Sequence, residues 1–318
     1  MRRVLVHLGY PKTGTTLLQR DVFRRVTRSA ERHVIGMDPD GASGTPMSYL
    51  RFRRTLAGQR PDWFLPRPHW RDLAPEGWEH LILSDEGPLS SEIRRIIHGR
   101  RPGRFESRLE WLRERIPTGA RASILLTTRA QGQLIPSLLA EMHHSLSPAA
   151  RDLRRWVTMA EDPGSPLHAL LDAERVLGRL TTTLGAAEAH LLPLELLATD
   201  PGEYGARLSR ALGEPIEPPT GDRQNVRRID RDEWVTSTTV GAGGIGRAVY
   251  RLYARRALPL PPRILLRRSP GDVPAPLGDT HRIRLPLAEQ RRLTRAFGPA
   301  NERLLGRFDL DPVALGYR

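Results

Sequence analysis

Residues 4–19 read VLVHLGYPKTGTTLLQ and contain the pattern that is most informative about the fold. Residues 4–8 form a short apolar run closed by a glycine, as expected of a buried parallel strand. After the loop at 9–14, apolar side chains recur at helical spacing, and Thr15 or Thr16 is suited to the N-cap. The stretch therefore predicts a strand, a glycine-containing loop and a helix in direct succession.

A loop between a buried strand and a helix N-terminus makes an anion site, because free N–H groups and the positive end of the helix dipole converge there. Gly14 permits a positive φ, and Pro11 stiffens the entry. Thr15 and Thr16 add hydroxyl donors. The loop also holds Lys12, the only lysine among the 50 basic residues of the chain. A phosphate-type ligand is predicted here.

Further segments continue the alternation of strands and helices. Apolar runs predict strands at HLILSDE (80–86), ASILLTTR (122–129) and AHLLPLE (189–195). Amphipathic spacing predicts helices at ESRLEWLRERI (106–116), at QLIPSLLAEM (133–142), with Pro136 near its start, and at LAEQRRLTRAFGPANERLLGRF (287–308). Such alternation favours an α/β fold with a mostly parallel central sheet and helices on both faces.

Composition limits the classes of partner. The 318 residues carry a net charge of +14, which suits nucleic acid, an anionic membrane surface or anionic small molecules. Because arginines are spread along the chain and aromatic residues make up only 6%, we expect no nucleic-acid partner. The basic amphipathic segment 246–258 is expected to pack on its own domain rather than on a membrane. The absence of cysteine excludes disulfides and thiolate metal sites.

The domain organisation is expected to be simple. We predict one domain over residues 1–318, with a Gly/Pro/Arg-rich segment at about 225–284 as the candidate for a mobile part. No apolar run approaches the roughly 18–20 residues that span a bilayer, and the N-terminal apolar run leads into the loop without a cleavage site. We therefore expect a cytoplasmic protein. Its oligomeric state cannot be read from the sequence.

The loop sequence PKTGTTLLQ resembles the 5′-phosphosulfate loop of the sulfotransferases that use 3′-phosphoadenosine 5′-phosphosulfate (PAPS). That family also has an arginine at a strand end and a serine eight residues later. Arg129 and Ser137 satisfy this order and spacing, although Ala130 and Gln131 replace the acidic residue and proline that often follow the arginine. The segments LILSDEGPLS (81–90) and FGPANERLLGRFDLDPVALGY (297–317) resemble bacterial members.

The resemblance implies a P-loop-like three-layer sulfotransferase fold and a donor site at named residues. Sulfuryl transfer is expected from PAPS to a hydroxyl or amine of a small-molecule, lipid or saccharide acceptor, without a metal. The implied donor-binding residues are Pro11, Lys12, Thr13, Gly14, Thr15, Thr16, Arg129, Ser137, Arg227 and Arg228. Lys12 is expected to stabilise the leaving group, since a compact ammonium can follow the charge on one oxygen.

The base that removes the acceptor's proton is expected near the end of the second predicted strand. Glu86 is the first candidate. Asp85 and the histidines His69 and His7 remain alternatives, because geometry with an acceptor bound would have to decide among them. His143 and His144 are adjacent in a helix and point about 100° apart, so they do not suggest a metal pair.

Two other functions remain open. In an ATPase loop the lysine follows the last glycine directly, in the pattern G-x-x-x-x-G-K-[ST], whereas Lys12 precedes Gly14 by two residues. The segment HLILSDE nevertheless resembles an ATPase strand whose acidic end holds Mg²⁺. A P-loop ATPase or kinase-like enzyme is therefore one alternative, and a non-catalytic nucleotide-binding module is the other.

Overall fold

The structure, a computed structural model, describes residues 2–26, 32–36, 77–102, 105–114, 116–143, 146, 148–219, 228–230, 233–235, 239–240, 275–276 and 282–318. The strands of the central sheet are β1 (Arg3–Gly9), β2 (Arg32–Gly36), β3 (His80–Ser84), β4 (Arg121–Thr128) and β5 (Glu188–Pro193). The first helix, α1, is a composite of Thr15–Leu17, the π-helical turn Leu18–Phe23, and Arg24–Val26. The other helices are α2 (Gly87–Ile97), α3 (Phe105–Arg113), α4 (Gln131–Met142), α5 (Leu153–Glu161), α6 (Pro166–Leu171), α7 (Ala173–Leu184), α8 (Leu196–Thr199), α9 (Pro201–Leu212) and α10 (Leu287–Arg307).

The central sheet is parallel throughout, with strand order β2-β3-β1-β4-β5. Strand β1 is in the middle, and its partners β3 and β4 lie on opposite sides. The chain leaves β1 toward β2 and leaves β4 toward β5, so the connections diverge between these two neighbours. In open α/β sheets a ligand binds in the crevice at such a point, outside the carboxyl ends of the strands.

Apolar side chains explain why these segments form the sheet. The central parts of β1 and β4 are buried on both faces, with Val6 and Ile124 on one face and Leu5 and Leu125 on the other. This two-sided burial is typical of a parallel sheet covered by helices. The predicted α/β fold with a mostly parallel central sheet and flanking helices is thus confirmed. Among the described residues, no helix has the length and apolar character needed to cross a membrane.

Several local predictions were inexact. The N-cap of α1 is Gly14 rather than a threonine, because its φ of 80° turns the chain directly into the helix. Strand β3 ends at Ser84, so Asp85 and Glu86 follow the strand instead of ending it. Strand β2 was not predicted at all. Its five residues, RHVIG, contain only two apolar side chains, Val34 and Ile35, so they form no apolar run, and the strand lies at the edge of the sheet.

The C-terminal half contributes short strands outside the central sheet. Strands β6 (Arg228–Asp230), β7 (Glu233–Val235) and β10 (Arg282–Arg284) form a three-stranded sheet in the order β10-β7-β6. Strands β8 (Thr239–Val240) and β9 (Ala275–Pro276) pair with each other. Strands β7 and β10 contact α4. Most of the segment 225–284 lies outside the described residues, as do His69, His144 and Arg227.

Candidate active site

The loop after β1 is packed tightly against its neighbours. A Cβ atom added at Gly9 would lie 2.1 Å from the Thr127 hydroxyl oxygen and 2.5 Å from the Thr15 methyl carbon, so only glycine fits. The Thr13 hydroxyl donates to the Tyr10 carbonyl at 2.6 Å and lies 2.8 Å from the Thr127 hydroxyl. These contacts fix the loop to the end of β4. What Thr13 offers a ligand is therefore its amide group.

Two residues of the loop have left-handed backbone conformations. Gly14 has a φ of 80°, and Lys12, a non-glycine residue, has a φ of 71°. Successive residues in turn conformations aim their N–H groups into a concavity that binds anions. Within the described part of the chain, the amides of Lys12, Thr13 and Gly14 donate to no protein acceptor. The unusual backbone at Lys12 is typical of functional sites.

The Lys12 side chain leads to a residue that the sequence did not single out. Its Nζ lies 3.0 Å from Oε2 of Glu141, near the end of α4. The lysine side chain is 15% exposed and that of the glutamate is 38% exposed. The ammonium group is therefore held between the loop and α4. Nothing in the sequence marked Glu141, since the contact depends on how α4 packs beside the loop.

Arg129 joins the two halves of the predicted site. Its Nη1 donates long hydrogen bonds of 3.4 Å to the Lys12 carbonyl and of 3.4 Å to the Ser137 hydroxyl. Its Nη2 donates to Oε1 of Gln133 at 3.3 Å. Strand β4 places the arginine at the sheet edge, and the first turns of α4 bring the serine back to it. The structure thus brings together Arg129, Ser137 and Lys12.

The acidic residues after β3 have different surroundings. Asp85 is buried, and its Oδ1 accepts a hydrogen bond from the Gly87 amide at 2.8 Å, at the start of α2. Glu86 is partly exposed, and its Oε2 accepts from the Thr15 hydroxyl at 2.7 Å. The glutamate therefore contacts the first residue of α1, while the aspartate is turned toward its own backbone. Thr16 is partly exposed at the same helix start.

The histidine His7 lies inside the protein rather than at the sheet edge. Its ring is fully buried, packs edge-on against Phe23 and has Nδ1 2.7 Å from the Ser84 hydroxyl. The amide of Gln19 donates to that same hydroxyl at 2.9 Å. Burial lowers the pKa of His7 to about 3. A neutral, buried imidazole with so low a pKa is a poor general base.

Of the two arginines predicted to contact the donor near residue 227, the structure describes only the backbone of Arg228. Arg228 begins β6, whose sheet partner β7 lies against α4. Its side chain is not among the described parts, and Arg227 lies outside the described residues. Their contact with a donor phosphate stays a prediction.

The half-buried carboxylate of Glu195 is bonded to the end of β4 beside Arg129. Oε1 of Glu195 accepts from the Ala130 amide at 3.0 Å, and Oε2 accepts from the Tyr317 hydroxyl at 3.3 Å. The tyrosine hydroxyl also lies 3.0 Å from the Thr128 hydroxyl. These bonds tie the end of β4, and hence Arg129, to the C-terminal end of the chain. Burial raises the pKa of Glu195.

This raised pKa predicts an unusual pH dependence. The ordinary pKa of this carboxyl, about 4.5, applies to the unfolded chain. At a pH between that value and the raised pKa of the folded state, Glu195 keeps its proton in the folded protein and loses it in the unfolded chain. Stability from this residue is therefore present below pH 4.5 and lost as the pH rises. Glu195→Gln keeps an acceptor for the Ala130 amide but cannot titrate, so its Tm should rise relative to that of the wild type as the pH increases. A Tm difference independent of pH would contradict this.

Among known proteins, similarity to this chain is found in solved structures. No protein-family model matches the chain, and no curated protein matches it. A solved structure, described as the crystal structure of a sulfotransferase from Alicyclobacillus acidocaldarius, is similar over 99% of both chains, with 12% identity and a TM-score of 0.46. At this identity and TM-score, the likeness assigns neither a family nor an activity to the chain.

Proposed function

We propose that the protein is a sulfotransferase that moves a sulfuryl group from PAPS to a hydroxyl or amine of a small-molecule, lipid or saccharide acceptor. The observation that carries this proposal is the position of the Arg129 guanidinium. It donates to both the Lys12 carbonyl and the Ser137 hydroxyl in the crevice between β1 and β4. The guanidinium thus lies against the backbone of the loop that carries Lys12, at the edge of the sheet where open α/β sheets bind ligands.

The donor set suits a ligand with anionic groups at two places. The amides of the loop and the start of α1, with the Lys12 ammonium, suit the 5′-phosphosulfate. A guanidinium and a hydroxyl, from Arg129 and Ser137, suit the 3′-phosphate, since charge-assisted bonds to phosphate are strong. Arg227 and Arg228 are proposed as further contacts to the same phosphate. A nucleotide without a 3′-phosphate would leave the second group of donors unused.

The proposed reaction is an in-line displacement at sulfur. The acceptor oxygen or nitrogen forms a bond to sulfur while the bond from sulfur to the bridging phosphate oxygen breaks, and adenosine 3′,5′-bisphosphate leaves. Sulfuryl transfer is similar to phosphoryl transfer, in which positioning and electrostatics supply most of the catalysis. Lys12 is proposed to stabilise the negative charge on the departing oxygen.

Glu86 is proposed to take the proton that the acceptor loses. Its position at the edge of the sheet and its partial exposure support it over the buried Asp85 and over His7. A carboxylate has about four lone-pair sites, so accepting the Thr15 hydroxyl leaves capacity for an acceptor proton. The bond to Thr15 would also keep the carboxylate close to the donor loop.

One contact favours a second function. In P-loop ATPases, a loop Ser or Thr and an acidic residue after a neighbouring strand hold Mg²⁺ together. The hydrogen bond from Thr15 to Glu86 joins residues of these types. Against this function, Lys12 occupies the sulfotransferase position in the loop rather than the ATPase position. A phosphoryl-transfer enzyme is therefore the second candidate.

Thermal unfolding in the presence of nucleotides separates the two functions. A ligand that binds only the folded state raises the Tm, by an amount that grows with the logarithm of its concentration relative to its Kd. Adenosine 3′,5′-bisphosphate should raise the Tm in the presence of a metal chelator, and adenosine 5′-monophosphate should do so less. If only ATP with Mg²⁺ raised the Tm, the phosphoryl-transfer function would be correct instead.

A further inference from the structure

Helix α4 presents one row of polar side chains to both cations of the site. Gln133, Ser137 and Glu141 are four residues apart, so they lie one above another on one face of the helix. The first two accept hydrogen bonds from Arg129, and the third pairs with Lys12. This single face of the helix therefore contacts both cations.

Glu141 differs from the other two members of the row because it carries a charge. Its carboxylate is 3.0 Å from the only ammonium of the loop, where it stands in for an anionic ligand. An arriving phosphosulfate would meet this carboxylate as a like charge, and the lysine would have to exchange one anion for another. The pair is partly exposed, with side-chain exposures of 15% and 38%, and such pairs contribute little to stability. It can therefore be exchanged without loosening the fold.

We propose that Glu141 is a positioning residue. It pairs with the Lys12 ammonium in the unliganded protein, and this ion pair breaks when the donor binds. The inference rests on the proposed function and adds a residue to it. Glu141 acts through Lys12, and competition between the carboxylate and the donor lowers donor affinity. The same competition favours release of adenosine 3′,5′-bisphosphate, because the lysine has a partner ready when the product leaves.

Glu141→Gln tests this competition with a nearly unchanged side-chain volume. Calorimetric titration with adenosine 3′,5′-bisphosphate should show about three- to tenfold tighter binding than in the wild type, the scale of a partly exposed charge pair. Glu110→Gln removes the same charge from the exposed face of α3 and should leave binding unchanged. In a Lys12→Met background, the effect of Glu141→Gln should shrink to less than about twofold, since coupled residues are not additive.

The single lysine allows its side chain to be observed directly. In protein labelled with ¹³C-lysine, the Cε resonance reports on Lys12 alone. In Glu141→Gln without ligand, this resonance should move toward that of an unrestrained lysine, while in Glu110→Gln it should stay at the wild-type position. With bisphosphate bound, the wild type and Glu141→Gln should share one resonance position, because the lysine then has the same partner.

The outcomes separate the inference from the proposed function. If the bisphosphate binds but Glu141→Gln changes neither its affinity nor the free lysine resonance, the inference is overturned and the proposed function stands. If the bisphosphate binds to neither the wild type nor Glu141→Gln, the proposed function is overturned and the inference falls with it. Tighter binding that persists in full without Lys12 would also overturn the inference, since Glu141 would then act directly on the ligand.

Discussion

Replacing Lys12 with arginine is expected to slow the chemical step of sulfuryl transfer by roughly 10²–10³, the scale for loss of one preorganised transition-state donor. The positive charge remains, but the planar guanidinium presents it as a fork over two oxygens, whereas an ammonium follows a single oxygen. The left-handed backbone at Lys12, with a φ of 71°, fixes the direction in which the side chain leaves the loop.

Single-turnover kinetics with enzyme in excess over PAPS measure this step apart from product release. Binding of adenosine 3′,5′-bisphosphate should survive within a few-fold, because the loop amides, Arg129 and Ser137 are unchanged. The Tm of the variant serves as the control for folding. A near-normal single-turnover rate for Lys12→Arg would show that the lone lysine is an accident of a composition dominated by arginine.

Replacing Arg129 with alanine is expected to weaken the binding of adenosine 3′,5′-bisphosphate by about 100-fold, the scale of one or two charge-assisted hydrogen bonds. Adenosine 5′-monophosphate lacks the 3′-phosphate, so its weaker binding should change little. This comparison matters because Arg129 also donates to the Lys12 carbonyl, and its loss could disturb the loop. Calorimetry with both nucleotides therefore separates loss of a phosphate contact from loss of loop geometry.

A matched control for this variant lies on the same strand. Arg121 begins β4 at the opposite edge of the sheet and pairs with Glu188 in an exposed ion pair. Arg121→Ala removes the same charge and should leave both nucleotide affinities unchanged. An equal loss for the two nucleotides in Arg129→Ala would contradict the assignment of Arg129 to the 3′-phosphate.

The central parallel sheet could be predicted from the sequence because a strand that is buried on both faces appears as an apolar run. Four strands were predicted in this way, namely β1, β3, β4 and β5. Their predicted ends differ from the observed ends by no more than two residues. Strand β2 could not be predicted in this way, because this short edge strand depends on its pairing with β3, which the local sequence does not show. The N-cap at Gly14 was missed because the threonine beside it, Thr15, is the more usual capping type.

The candidate site was predictable where spacing along the chain determines distance in space. Arg129 and Ser137 come together because a strand end and the next helix fix their separation. The contacts of Glu141 with Lys12 and of Glu86 with Thr15 join residues far apart in sequence, and no local pattern marks them. The proposal of Glu86 over Asp85 as the base likewise draws on a contact that the sequence does not show, the hydrogen bond from the Gly87 amide to the aspartate.

Transfer of labelled sulfur distinguishes a sulfotransferase from a phosphoryl-transfer enzyme. The protein is incubated with ³⁵S-labelled PAPS and a metabolite extract of its own source, in the presence of a metal chelator, and the products are separated and identified by mass spectrometry. We expect label to move to an acceptor and adenosine 3′,5′-bisphosphate to appear in equal amount, with far less transfer by Lys12→Arg. If the label stays in PAPS while a parallel incubation with γ-labelled ATP and Mg²⁺ transfers its phosphate, the protein is not a sulfotransferase.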